Sequence, residues 1–190
     1  EFSVKNTDVS LTLENMEDTD TTTTEPIYWK ILLDEIDFEN VGFALNMPQD
    51  SLFVRTMLPK TTLKDGVIDL KEASYYVKSF GIDNAELAYG PKEELFLQQI
   101  GLQLDSIYYC GKDIRANIEE FVLKERSGLE LVSTEGRIVS DSVLIEIPKF
   151  TMKTTASSLD LQTKIGWDVL EMKKTGVLSA KINAEIGKGD

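Results

Sequence analysis

The sequence contains no histidine. That removes the usual general base near neutral pH and the imidazole most often found on zinc. It contains one cysteine, Cys110, so no disulfide can form within the chain. With no histidine to activate it, nothing marks the thiol as a nucleophile. In Tyr108-Tyr109-Cys110-Gly111 it reads as a small buried apolar residue. Cations are short: 20 Lys and Arg stand against 33 Asp and Glu, a net charge of −13. No cationic surplus exists to displace counterions from phosphates, which argues against nucleic acid and against flat docking on anionic lipid. Long apolar runs are also missing. No stretch approaches the ~20 residues of a membrane-spanning helix, and no secretory signal opens the chain. The chain begins inside an alternating pattern and stops at Gly187-Lys188-Gly189-Asp190, and so reads as a piece of a longer protein. Glu1-Phe2 fits a cloning remnant and native sequence equally.

What is present is strand pattern, over 190 residues of which 42% are hydrophobic. Val9-Ser10-Leu11-Thr12-Leu13 alternates with period two, as a half-buried strand does. Glu17 to Pro26 is polar, acidic and Thr-rich, which predicts a surface loop. Residues 1–26 are therefore one unit, a strand and its loop, and residues 27–190 a second. In the second, alternation is sustained: Trp29/Ile31/Leu33, Ile36/Phe38, Val41/Phe43/Leu45, Leu52/Val54/Thr56, Val67 to Leu70, Tyr75 to Val77, Leu129/Leu131, Val143/Ile145/Ile147, Leu159/Leu161, Ile165/Trp167/Val169 and Val177 to Ile182. Pro48, Asp65-Gly66, Gly90-Pro91, Gly111, Ser127-Gly128 and Gly136 punctuate these runs as expected turns. The pattern predicts an all-β protein of many short strands. Lys92 to Gln103 has helix-forming composition and is left open as one short helix. Asn117 to Lys124 is read as strand.

A weak internal repeat runs through the second unit. With h for apolar, Ile36-Asp-Phe38-Glu-Asn-Val41-Gly-Phe43-Ala-Leu45 reads h-x-h-x-x-h-x-h-x-h. Phe80-Gly-Ile82-Asp-Asn-Ala85-Glu-Leu87-Ala-Tyr89 gives the same string. Ala116 to Leu123 and Ile145 to Met152 give its first eight places. The double spacer would send half of each strand to the wrong face of a flat sheet. A β-bulge restores the facing and bends the strand, and Asn40, Asn84 and Pro148 suit such a break. A tight two-residue turn is the rival geometry.

Catalytic constellations are thin. Asp34/Glu35/Asp37/Glu39 and Glu119/Glu120 are the densest carboxylate clusters, and on alternating strands they read as solvent-facing. Asp18/Asp20 lacks the spacing of a helix–loop–helix calcium site. No phosphate-cradling glycine loop and no Gly-x-Ser-x-Gly elbow occurs. The expectation is a non-enzyme with no cofactor and no metal.

Three stretches carry a family resemblance: Trp29-Lys30-Ile31 followed by Ile36 to Phe43; Leu123-Lys-Glu-Arg-Ser127-Gly128-Leu129-Glu-Leu131; and Ile145 to Leu159, with its strand, Thr154, two spacers and Ser157. Over roughly Tyr28 to Trp167 the chain resembles the AsmA/TamB superfamily, especially the long TamB-like proteins of Bacteroidetes. The resemblance implies an elongated curled β-sheet, or trough, with an apolar concave face. It implies a periplasmic segment of an inner-membrane-anchored protein, moving phospholipid between membranes in outer-membrane biogenesis. Implied partners are phospholipid acyl chains and, through the parent chain, an outer-membrane barrel protein. The groove candidates are Ile36, Phe38, Val41, Phe43, Leu45, Phe80, Ile82, Leu87, Ile118, Phe121, Leu123, Ile145, Ile147, Phe150 and Met152. From residues alone a closed core is the commoner fate of such positions. The competing class is a secreted or surface β-sandwich adhesin, whose two sheets would seal their inner faces. A trough instead leaves strand edges open to self-association.

Overall fold

The computed structural model describes residues 2–12, 28–48, 52–172 and 175–188. They form one ten-stranded sheet whose strands lie side by side in chain order. The strands are β1 (Phe2–Thr12), β2 (Lys30–Met47), β3 (Leu52–Asp69), β4 (Ser74–Tyr89), β5 (Leu95–Cys110), β6 (Asp113–Glu125), β7 (Glu130–Ser140), β8 (Leu144–Thr154), β9 (Ser158–Gly166) and β10 (Leu178–Glu185). One short helix, α1 (Trp167–Leu170), leaves the end of β9. From β2 onward each strand runs antiparallel to the next. β1 is parallel to β2, which the alternation of Val9 to Leu13 could not foretell. A parallel neighbour needs a return crossover of a dozen or more residues, and the stretch between Thr12 and Lys30 is long enough. Thr19 to Thr24 and the Asp18/Asp20 pair lie outside the described residues.

Several expected turns are instead interior strand positions. Asp65-Gly66 sits within β3, where Asp65 has a φ of 51°. Gly136 sits within β7 facing Phe150, where an added Cβ would come 2.8 Å from the Phe150 ring. Glycine is there to admit the ring rather than to reverse the chain. The strands are consequently fewer and longer than expected. Leu95 to Gln103 is strand, not helix. Its helix-forming composition loses to edge pairing with β4 and β6, since propensity is a weak prior against tertiary context.

The double spacers are bends inside continuous strands, not turns. Asn40 and Asn84 have φ of 54° and 55°, and Asn6 has 50°. The register puts Asn6 opposite Asn40, Asn40 opposite Pro59, and Pro59 opposite Asn84. Asn40 Nδ2 donates to Asn6 Oδ1 at 3.2 Å. Asparagine tolerates the left-handed region, and proline has no N–H to offer a ladder. The row is therefore a crease across adjacent strands. It continues through Gln99 (φ 53°) and through a gap in the β6–β7 ladder between Ile118/Gly136 and Leu123/Leu131. A second crease passes through Asp65, its neighbour Lys78 and Ser106 (φ 54°), and reaches the register shifts at Arg137/Val139 and Ile147/Phe150.

A positive-φ residue carries the alternation across itself. A Cβ on Gly66 would lie 3.2 Å from Leu63 Cδ2, so these residues, three apart with Asp65 between, share a face. Creases that run from strand to strand fold the sheet about an axis perpendicular to the strands. The result is a curled sheet of a wall, a floor and a wall that does not close into a barrel. With strands about 4.8 Å apart, the trough is roughly 43 Å long.

The inside of the fold is identified by burial. Val41, Ala85, Thr61, Leu131, Thr134, Ser140 and Thr163 are buried, and the register places all of them on one face. Ala88, Gly42 and Gly81 are buried on the other face, Ala88 opposite Phe96. The outer face carries charge, including cross-strand pairs Lys5–Glu39 (2.6 Å), Lys64–Glu35 (2.9 Å), Lys149–Glu135 (3.4 Å) and Lys164–Glu146. Exposed pairs of this kind contribute about 0 to 1 kcal/mol each.

Two consequences are measurable. The Lys5 hydrogen bond and charge hold Glu39 below its ordinary value, the Ser127 side chain and backbone do the same for Glu125, and the backbone N–H groups of Leu144 and Val143 for Asp141. A depressed carboxyl contributes stability that is present above its unfolded value and lost as pH falls through its folded value. No histidine titrates in between. Urea midpoints are therefore expected to be flat from about pH 6 to 8 and to drop on acidification through the carboxylate range. A midpoint that changes across neutrality would contradict this. The second consequence concerns edges. β10 is exposed along its whole length and, among the described residues, pairs only with β9. Such an edge templates strand addition. Size-exclusion chromatography is expected to show concentration-dependent oligomers, reduced by Leu178→Lys with Ile182→Lys. A strictly monomeric species at every concentration would count against edge pairing.

Candidate functional site

The inner face is apolar because the alternation of each strand survives the creases in phase with its neighbours. One row crosses the entire sheet. It begins Phe2, Ile36, Leu63, Phe80, Leu104. It continues Ile118, Gly136, Phe150, Leu161, Ile182. No charged residue interrupts it. A neighbouring row runs Val4, Phe38, Thr61, Ile82, Leu102, Phe121. On one wall Val9, Phe43, Thr56, Leu87 and Leu97 align, with Leu11, Leu45, Val54, Tyr89 and Leu95 beyond them. On the other wall Ile31, Ile68, Tyr75, Tyr109, Ile114, Ser140, Ile145 and Ile165 align.

All the groove candidates named from the sequence fall on this face. Ile36, Phe80, Ile118 and Phe150 share the central row. Phe38, Ile82 and Phe121 share the next, and Val41, Phe43, Leu45 and Leu87 lie on one wall with Leu123, which pairs with Leu131. Ile145 belongs to the opposite wall, Ile147 pairs with Thr163, and Met152 pairs with Thr134 and Leu159. Sequence reasoning missed Leu63, Leu104, Leu102, Leu161 and Ile182. They sit on odd-numbered strands or on β10, outside the strings that carried the repeat.

This face has no second layer over it among the described residues. No large side chain there is fully buried, and Phe43 remains 36% exposed. A sheet with one apolar face ordinarily buries it against another sheet or helices. Among the described residues the only helix is four residues long and leaves the β9 end. Where β8, β9 and β10 meet, a depression of about 650 Å³ is lined mostly by outer-face residues, Lys149, Thr151, Asp160, Gln162, Lys181 and Asn183, with Phe150, Leu161 and Ile182 of the central row beside them. A separate hollow of about 520 Å³ lies on the outer face by Gly42, Met57, Ala88 and Phe96. Its Arg55 is held by Glu93 at 2.6 Å.

The inner face offers little chemistry. The hydroxyls of Thr61 and Thr134 are buried and have no hydrogen-bond partner, a rare condition for which the structure shows no compensation. The carboxylate clusters lie elsewhere. Glu35 and Glu39 are in outer-face ion pairs, Asp37 pairs across to Thr62, and Glu119 and Glu120 are exposed at the β6 crease. Among the described residues no group of three or more Cys, Asp or Glu could hold a metal ion. Cys110 is half-buried with its thiol against the Glu72 carbonyl at 3.6 Å. No helix of the described residues is long and apolar enough to cross a membrane, a statement that does not bear on strands. No family model matches the chain, and neither a curated protein nor a solved structure matches it.

Proposed function

We propose that the chain is a segment of a lipid-conducting trough, its inner face receiving phospholipid acyl chains, as in the AsmA/TamB superfamily that its sequence resembles. The observation that carries the reading is the uncharged row from Phe2 to Ile182, continuous across ten strands and left uncovered by any second layer among the described residues. Acyl chains are the ligand such a surface suits. They need no fixed polar partner, and burial yields about 25 cal/mol per Å² of apolar area. A row running perpendicular to the strands also suits movement, because each strand presents the chain with nearly the same surface as the last. On this reading the protein is periplasmic, part of an inner-membrane-anchored parent that serves outer-membrane biogenesis with an outer-membrane barrel protein, and it performs no chemistry. The sealed two-sheet core of a sandwich adhesin is not what the described residues form; they form one sheet.

The test is native mass spectrometry of protein purified from bacterial cells, with lipid extraction alongside. Co-purifying phospholipid, or uptake of added fluorescent acyl chains, is the expected result. Protein that is free of lipid and binds no acyl probe would overturn the reading.

A further inference from the structure

The two lips of the trough are chemically different. One is formed by the start of β2, the β3–β4, β5–β6 and β7–β8 turns and the end of β9. Of the two tryptophans and six tyrosines in the chain, all but Tyr89 sit at this lip. Two of them face inward as a cross-strand pair: Tyr75 and Tyr109, with ring centroids 5.9 Å apart and planes tilted by 42°. They are 42% and 46% exposed. Rings at an apolar–water boundary suit tyrosine and tryptophan, since one end of each is apolar and the other takes hydrogen bonds.

Each described cation of this lip has a carboxylate neighbour. Lys30 pairs with Asp69 and Lys71 with Glu72, each at 3.8 Å. Lys112 binds Glu171 at 2.7 Å and lies over the Trp167 ring, while Arg115 binds Asp113 at 2.9 Å and lies over the Tyr108 ring. Both of those cations cover outward aromatics and leave the inward Tyr75–Tyr109 faces open. Lys173 and Lys174 lie outside the described residues. Among the described residues, then, this lip shows open aromatic faces on an acidic chain, and each of its cations has a carboxylate beside it. That combination favours a quaternary or primary ammonium, which aromatic faces attract through their quadrupoles.

We infer that the Tyr75–Tyr109 lip seats the ammonium end of a zwitterionic phospholipid whose acyl chains lie on the trough floor. The inference rests on the trough reading and adds a direction and a headgroup class to it: the lipid lies across the trough with its head at the tyrosine lip.

The experiment offers the protein equimolar phosphatidylcholine, phosphatidylethanolamine and phosphatidylglycerol with identical acyl chains and reads relative occupancy by native mass spectrometry. The two ammonium lipids are expected to exceed phosphatidylglycerol by about fivefold, the scale of one exposed cation–π contact. Tyr75→Leu with Tyr109→Leu is expected to bring the ratio near one while total lipid binding persists. Tyr75→Phe with Tyr109→Phe, which keeps both rings, is expected to retain it. Equal or greater occupancy by phosphatidylglycerol would overturn the headgroup assignment and leave the trough standing. So would a ratio unmoved in the leucine variant. Failure to bind lipid of any headgroup would remove the trough and this assignment together.

Discussion

Replacing Phe43 and Phe80 by aspartate is expected to strip the protein of lipid while leaving its strand content intact. Phe43 lies on one wall and Phe80 in the central row. Acyl chains lying across the floor from the tyrosine lip would meet the central row that holds Phe80 and reach the wall that holds Phe43. A carboxylate there faces hydrocarbon, with no cation among the described inner-face residues to pair it. Burying an unpaired charge costs several kcal/mol; even a 2 kcal/mol share of that weakens binding roughly 30-fold. The fold should tolerate the change because these side chains are partly exposed already. Circular dichroism checks the fold, and acyl-probe titration checks binding. The matched outer-face change, Met57→Asp, should leave binding unaltered. Equal losses from inner and outer substitutions would show that the face is not what matters.

The second large effect concerns the creases. Asn40→Val and Asn84→Val place β-branched residues at φ of 54° and 55°, where L-residues other than glycine and asparagine are strained by about 1 to 2 kcal/mol. Each is expected to lower stability by about that amount, measured by urea unfolding. Because both residues flank Pro59, the double variant should depart from additivity, as substitutions with a shared neighbour do. Glycine at either position should be close to neutral, since it enters the left-handed region freely. Valine variants as stable as the native protein would mean that the bend is not fixed by these residues.

Much of this architecture is legible in the sequence, and the reason is geometric. The string h-x-h-x-x-h marks a bent strand wherever the chain keeps one face apolar through a positive-φ residue, and Asn40 and Asn84 are the residues that make it visible. It was read only in β2, β4, β6 and β8, because the odd strands run the other way. Read backwards, Leu63-Thr-Thr61-Lys-Pro59-Leu58-Met-Thr56-Arg-Val54 has the same spacing, with threonine at two of the apolar places. Thr61 and Thr56 hid it, and both sit on the inner face. In β5 the helix-forming Gln98-Gln99 pair concealed the same break, although Gln99 has a φ of 53°. Turn chemistry misled for a related reason. Asp65-Gly66 is a good hairpin turn by local preference, but the left-handed residue that could reverse a chain here bends it instead, because ladder pairs on both sides hold the strand in line. The parallel pairing of β1 depends on a long-range return that no local pattern encodes. The asymmetry of the lips was present in the positions of tyrosine and tryptophan, but it has meaning only once the strand ends are known to form two rims.

The measurement closest to the central claim is photo-crosslinking in living bacteria. A benzophenone amino acid is placed singly at Phe80 and Phe150 on the inner face and at Met57 on the outer face, and adducts are read by mass spectrometry. The expected result is phospholipid adducts from Phe80 and Phe150 and none from Met57. Adducts at all three sites alike, or none from the inner face, would contradict the account.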